Sequence, residues 1–317
     1  MYKVKTVKTG MVVLMLLSLA VGCQQTVTTV IPDELTSSEY KVLLNPDKFV
    51  DREAAYHEYW GVFKKVAADN GVSIVENDDK DEIEFEQVTF FDTPYQDLLK
   101  HGYVLRVKYS YDDEGNRKSS VTYSLKARSE DRKKVLNADP RIAADKDNKG
   151  SKLELESDIV YNVGEDHHRV TFYSSQSKIK IEHDMGNRYG DYAELFPVLA
   201  TFGVDADTPV ESVGGLIVSA YNFEPGSIDF GEGVKCDVEI AVWTVEVDDS
   251  LWVVPELSYS QSFEKGIKPP EKPMELNVKF LDLLREAAPE WIVPGKTKSS
   301  FLFEYDAKLR GNANVDK

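Results

Sequence analysis

The chain has 317 residues, 42 % of them hydrophobic and 11 % aromatic, which is enough for a packed core and excludes wholesale disorder. It carries 38 Lys and Arg against 55 Asp and Glu, a net charge of −17. That balance excludes a non-specific nucleic-acid binder, which needs a basic surface, and it counts against any polyanionic ligand unless cations are gathered locally.

Lys3, Lys5 and Lys8 precede an apolar run, Met11 to Ala20, and then Leu19-Ala20-Val21-Gly22-Cys23. A short apolar run behind lysines that ends in small residues predicts a signal peptide over residues 1–22, too short to span a bilayer. Small residues directly before a Cys resemble the bacterial lipobox, and the resemblance implies cleavage before Cys23 and lipidation of its thiol. Gln24 in the next position, rather than Asp, leans towards the outer membrane; an ordinary secretory signal with an accidental Cys is the alternative. Cleavage removes three lysines and takes the net charge from −17 to −20. It leaves Cys236 as the only other thiol, so no internal disulfide is expected and Cys236 reads as buried and inert.

Residues 23–36, polar and Thr-rich with Pro32, read as a tether, and 37–317 as the folded domain. Tyr56, Tyr59, Trp60, Phe63, Val66 and Ala67 predict a helix over Asp51–Asn70, capped by Gly71. The run Glu76 to Glu86 contains seven acidic residues and reads as a solvated edge. β-branched and aromatic runs between turn residues predict strands at Ile83–Phe91, Tyr103–Ser110, Val121–Ala127 and Leu153–Val160. Further strands are expected at Gly215–Phe223, Val234–Val247, Leu251–Phe263 and Ser299–Tyr305. Val163–Asp191 is polar and reads as an irregular insertion. Tyr192–Phe202 predicts a helix bent by Pro197, and Leu276, Phe280, Leu284 and Ala288 mark another before Pro289. The sum is an α+β chain dominated by antiparallel sheet.

Several of these strands alternate apolar residues with charges. Arg106 and Lys108 share one face of Tyr103–Lys108, with Leu105 and Val107 on the other. Lys126 and Arg128 oppose Leu125 and Ala127. Lys152, Glu154 and Glu156 oppose Leu153 and Leu155. Lys235, Asp237 and Glu239 alternate with Cys236, Val238 and Ile240, and Glu256 with Leu257. Either the sheet has one wet face, or it curls so that the charged face lines an interior. An interior of facing cations and carboxylates suits phosphate held by the cations and a divalent metal held by the carboxylates.

The stretch Phe90-Phe91-Asp92-Thr93-Pro94-Tyr95-Gln96-Asp97-Leu98-Leu99-Lys100-His101-Gly102-Tyr103-Val104-Leu105-Arg106-Val107-Lys108 resembles the signature of the CYTH superfamily, the triphosphate tunnel metalloenzymes. Leu125-Lys126 matches the family's next strand, and Lys152-Leu153-Glu154-Leu155-Glu156 matches its Arg-x-Glu-x-Glu strand with Lys for Arg. The resemblance covers residues 39–160 in order and spacing and fades afterwards to a late strand with Glu256. It implies an eight-stranded antiparallel β tunnel with a few flanking helices, acting on triphosphates or polyphosphate with Mg²⁺ or Mn²⁺. It implies phosphate contacts from Lys41, Arg106, Lys108, Lys126 and Arg128, and metal ligation by Glu39, Glu154, Glu156 and Glu256.

Two departures bear on chemistry. The family's opening Glu-x-Glu-x-Lys reads Ser37-Ser38-Glu39-Tyr40-Lys41, so a hydroxyl stands for the first carboxylate, and hard cations lose affinity with ligand charge. Between Gly203 and Ser262 the only cation is Lys235, where the family usually has arginines. The alternative expectation is therefore a non-catalytic envelope lipoprotein that keeps the fold. Other motifs are weaker. Asp145-Lys146-Asp147-Asn148-Lys149-Gly150 with Glu156 misses the calcium-loop pattern at Lys149. Pro294-Gly295-Lys296-Thr297 lacks the first Gly of a P-loop, and His167-His168 have no supporting ligands.

Overall fold

A computed structural model describes residues 35–79, 81–144, 146, 152–161, 169–264, 270–295 and 297–309. The signal segment, Cys23, most of the tether, most of the calcium-loop motif, His167, His168 and Lys296 lie outside the described residues. The strands are β1 (Ser37–Leu43), β2 (Ser73–Glu76), β3 (Ile83–Asp92), β4 (Tyr103–Tyr111), β5 (Arg117–Ser129), β6 (Lys152–Tyr161), β7 (Arg169–Ile181), β8 (Glu211–Ser212), β9 (Val218–Asp229), β10 (Lys235–Val247) and β11 (Ser250–Ser262). The helices are α1 (Arg52–Asp69), α2 (Asp97–Lys100), α3 (Arg132–Asn137), α4 (Tyr189–Leu195), α5 (Glu271–Ala287) and α6 (Lys298–Leu309).

Pairing runs β9-β10-β11-β1-β6-β7-β5-β4-β3 and returns from β3 to β9, which closes the sheet into a ring; β2 and β8 hang from β9 and β3. The tunnel is thus built from nine strands where the resemblance implied eight. An odd ring cannot alternate direction all the way round, and the mismatch falls at β1 and β6, which pair in parallel with Glu39 beside Asp158. All other pairings in the ring are antiparallel.

The period-2 pattern decides which way each side chain faces. On β1, Tyr40 and Val42 join Leu257 and Tyr259 of β11 in an outer core with Tyr56, Tyr59 and Phe63 of α1 and Phe280 and Leu284 of α5. Burying each of those rings and leucines contributes roughly 1.5–3 kcal/mol. Helix α1 starts where Asp51 accepts a bond from Ala54 N at 3.1 Å, and the chain turns out of it at Gly71, φ +68°. On the other flank Leu105, Val107, Tyr123, Leu125 and Ile179 pack against Tyr192 and Leu195 of α4 and Phe196 and Leu199 beyond it. Pro197 forces Phe196 extended (φ −119°, ψ 90°), so the expected bent helix is α4 followed by a 3-10 turn at Pro197–Phe202.

Two expectations are corrected. Val163–Asp191 is not an insertion, because Arg169–Ile181 is a full strand between β5 and β6. Its centre, Ser174-Ser175-Gln176-Ser177, is polar on both faces, so no alternation announces it. Ser299–Tyr305 is not a strand but part of α6, with Leu302 and Asp306 buried four residues apart. The alternating Phe301, Phe303 and Tyr305 imitate a strand, yet the ring closes by β3 pairing with β9 and does not use this segment.

Helix α6 stops one side of the tunnel. Leu302 is buried with Val88, Phe90, Val213, Leu216, Val218, Trp243, Val245 and Val254, and Phe303 meets Phe90 edge-on at 6.0 Å. The helix is pinned by Asp306, which accepts Gln96 Nε2 at 2.5 Å and Gly214 N at 2.9 Å.

Candidate functional site

A cavity of about 350 Å³ lies against this plug, and Phe90 and Trp243 line both. Cations reach it from the arc of the ring running β1 to β4 and from the plug: Lys41 on β1, Arg106 on β4, Lys126 and Arg128 on β5, Lys178 on β7, and Lys298 at the start of α6. Its lining carboxylates are Glu39, Glu156, Glu239 and Glu256. Cations therefore outnumber carboxylates six to four around the cavity.

The Phe-Asp-Thr-Pro motif builds the turn that aims β4. Asp92 is buried and accepts bonds from Thr93 N (2.7 Å), Leu98 N (2.9 Å) and Leu99 N (3.0 Å), while Thr93 Oγ1 donates to Asp97 at 2.6 Å. These bonds fix α2 and deliver Tyr103 into register opposite Ala127, which sets Arg106 opposite Ser124. The most distinctive stretch of sequence thus works by positioning strands.

Beneath the cavity floor sits Asp158, whose side chain is 0 % exposed. Lys41 Nζ donates to its Oδ1 at 3.0 Å, Lys126 Nζ lies 3.4 Å from its Oδ2, and Arg128 Nη2 stands 3.7 Å from the same atom. Burial alone would raise the Asp158 pKa, but Lys126, Lys41 and Arg128 outweigh it and hold the carboxyl below the usual range. Burial would likewise lower Lys41, yet Asp158, Glu39 and Glu256 hold its ammonium above the usual range. Arg128 Nε and Nη2 and Asp158 Oδ2 are buried without hydrogen-bond partners. Arg128 also stacks over Phe172 at 4.3 Å.

Nearly every other charge is matched inside the tunnel. Lys41 pairs with Glu39 at 2.7 Å, Lys126 with Glu156 at 3.2 Å, Lys178 with Glu154 at 2.7 Å and Lys298 with Glu256 at 3.1 Å. Among the described residues the Arg106 guanidinium has no ion-pair or hydrogen-bond partner, and Glu239 has no ion pair. Burial raises the Glu239 pKa, against Lys298 and with help from Glu39 and Glu256.

Of the expected phosphate ligands, Lys41, Arg106, Lys126 and Arg128 converge. Lys108 does not line the cavity and instead pairs with Glu86 at 2.6 Å, a carboxylate that Ser110 and Asn222 also approach. Of the expected metal ligands, Glu39, Glu156 and Glu256 line the cavity, whereas Glu154 stands behind Lys178 and Gln176. Among the described residues no group of three or more His, Cys, Asp or Glu is placed to hold a metal ion. The four-glutamate set therefore does not fit Mg²⁺ or Mn²⁺ as it stands, since such ions need several oxygens in near-octahedral array and these oxygens face lysines. Cys236 is buried beside Asn277 Nδ2 at 3.4 Å, and burial pushes its thiol up to about 12, so it is inert.

Sequence reasoning missed Lys178, Lys298 and Asp158, and it set Glu239 on a charged strand face without assigning it to the site. Asp158 was within reach, because it continues the Glu154-x-Glu156 alternation by one step. Lys178 lies in the segment expected to be irregular, and Lys298 directly precedes the one expected to be a strand.

No family model and no curated protein matches the chain. Among solved structures it is similar to a Hippeastrum protein described as having a dominant triphosphatase activity, at 14 % identity and a TM-score of 0.43, covering 84 % of this chain and 94 % of that one. It is also similar to a candidate adenylate cyclase from Bacillus halodurans, at 11 % identity and a TM-score of 0.36, covering 85 % and 100 %. A third is a Pyrococcus horikoshii protein, at 14 % identity and a TM-score of 0.35, covering 84 % and 98 %. The chain's own geometry is that of a closed β tunnel with a charged interior, entered by the turn-and-strand motif of Phe90–Lys108.

Proposed function

We propose that the chain is a lipid-anchored envelope protein whose tunnel binds the phosphate chain of a triphosphate or short polyphosphate. The observation that carries this is the convergence of six cations from four strands and helix α6 on one cavity, where Arg106 makes no ion pair and Arg128 Nε and Nη2 have no hydrogen-bond partner. Guanidinium forks match phosphate oxygens bidentately, and charge-assisted bonds of this kind are the strong ones. The plug of α6, Phe90 and Trp243 favours a short chain over one that threads through. Binding is favoured over hydrolysis by one observation: three of the four lining carboxylates are neutralised by lysines, which leaves them poor at activating water.

The anchor rests on Cys23 and the segment before it; among the described residues no helix is long and apolar enough to cross a membrane. The reading is tested by thermal denaturation with inorganic triphosphate. A rise in melting temperature supports it, and no shift over a full titration overturns it. Replacing Cys23 by Ser is expected to abolish fatty-acid labelling and move the protein from the membrane to the soluble fraction; labelling that persists overturns the anchor.

A further inference from the structure

We infer that the tunnel binds its oligophosphate without a divalent cation, its own lysines supplying the charge that a metal would bring; this rests on the reading above. A metal-dependent phosphate site keeps carboxylates free to collect a hard cation at about 2.0–2.1 Å. Here Glu39, Glu156 and Glu256 each face a lysine at 2.7–3.2 Å, and Glu239 alone lacks such a partner. A single free carboxylate does not gather an ion that wants several.

Displacing those lysines is costly. Lys298 and Glu256 are 13 % and 5 % exposed, and Lys298 also sits over Trp243 at 5.1 Å. Seating a metal on Glu256 would strand the ammonium in a desolvated site, and breaking a buried pair from one side is strongly destabilising. An incoming phosphate demands no such exchange. Each lysine has three N–H donors and can keep its carboxylate while giving another to a phosphate oxygen. Arg106 and Arg128 both line the cavity, and Arg128 Nε and Nη2 have no hydrogen-bond partner. In this arrangement the carboxylates hold the lysines extended around the cavity, and the remaining lysine donors together with Arg106 meet the polyanion.

The experiment measures binding of inorganic triphosphate to the full chain by calorimetry, once in EDTA and once in excess magnesium or manganese, together with thermal denaturation in the metals alone. Binding in EDTA at least as tight as in magnesium, and no stabilisation by metal alone, is the expected result. Binding only in the presence of metal, or stabilisation by metal alone, overturns this inference and leaves the oligophosphate reading standing. Binding in neither arm overturns the oligophosphate reading itself.

Discussion

Lys41 Nζ donates to Asp158 Oδ1 at 3.0 Å across β1 and β6, the parallel pair of the ring. Asp158 is also the counter-charge for Lys126 and Arg128, so one buried carboxylate holds three phosphate-facing cations together. Asp158→Asn is expected to cost about 3–5 kcal/mol, the usual loss when one side of a buried ion pair is removed. Inorganic triphosphate should restore part of that loss and stabilise the variant more than it stabilises the wild type, because it supplies the missing negative charge. Urea denaturation with and without triphosphate measures both; equal stabilisation of the two proteins contradicts the role. Since the cations hold the folded carboxyl below its unfolded value, this stability is present above about pH 4 and is lost as pH falls towards the depressed value.

Arg106 makes the opposite prediction. It lines the cavity and has no partner to lose, so Arg106→Ala should leave the melting temperature nearly unchanged. Triphosphate affinity should fall about 10- to 100-fold, the equivalent of roughly 1.5–3 kcal/mol for a hydrogen bond to a charged group. Arg106→Lys recovers charge but not the fork, and should recover only part of the affinity. Calorimetry on cooperatively melting variants decides the point, and an unchanged dissociation constant for Arg106→Ala removes it from the site.

The contrast between these two residues shows what could be read from sequence. Arg106, Lys126, Arg128 and Glu156 were legible because Leu105, Val107, Leu125, Ala127 and Leu155 alternate with them and must be buried, which sends the charges to the opposite face. That logic fails where both faces of a strand are polar, as at Ser174–Ser177, and it lost Lys178. It also fails where a helix carries aromatics two apart, as at Phe301, Phe303 and Tyr305, and it lost Lys298. Alternation gives a face but not a height along the tunnel, so Lys108 and Glu154 were placed in a cavity that they do not line. Ring closure through β3 and β9 is a pairing of residues about 135 apart, Ile83 with Phe223 at one end, and no local pattern encodes it.

Asp92 gives a pH-dependent test of the turn motif. Burial raises its carboxyl from 3.8 to about 6, against the pull of backbone donors at Leu98, Leu99 and Thr93 and with a small push from Asp97. The folded state therefore holds this proton more tightly than the unfolded chain, so stability falls as pH rises between about 4 and 6. The rise corresponds to about 3 kcal/mol. Asp92→Asn has no such titration but leaves one of the three backbone donors without its carboxylate acceptor. The variant should be the less stable protein near pH 4, and wild type should lose its advantage by pH 7. Chemical denaturation of both proteins at the two pH values checks this, and a pH-independent difference contradicts it.

The plug offers a last test, because its anchor lies towards the far end of α6 from the cavity-lining Lys298. Asp306 is buried and receives Gln96 Nε2 on one oxygen and Gly214 N on the other. Gln96 holds φ +56°, an uncommon conformation for a residue with a Cβ, and this amide bond helps to hold it there. Asp306→Ala leaves two inward-facing donors unsatisfied, at about 1–3 kcal/mol each. Helix α6 should then lose amide-exchange protection over Lys298–Leu309 while β4 and β5 keep theirs. Lys298 begins that helix, so loosening its far end should also weaken triphosphate binding although Asp306 does not line the cavity. Asp306→Asn, which can still accept from Gly214 N, should show a smaller loss of both. If protection in α6 is unchanged in Asp306→Ala, the helix is held by Leu302 and Phe303 alone. If protection falls but triphosphate binding does not, Lys298 reaches the ligand independently of the plug.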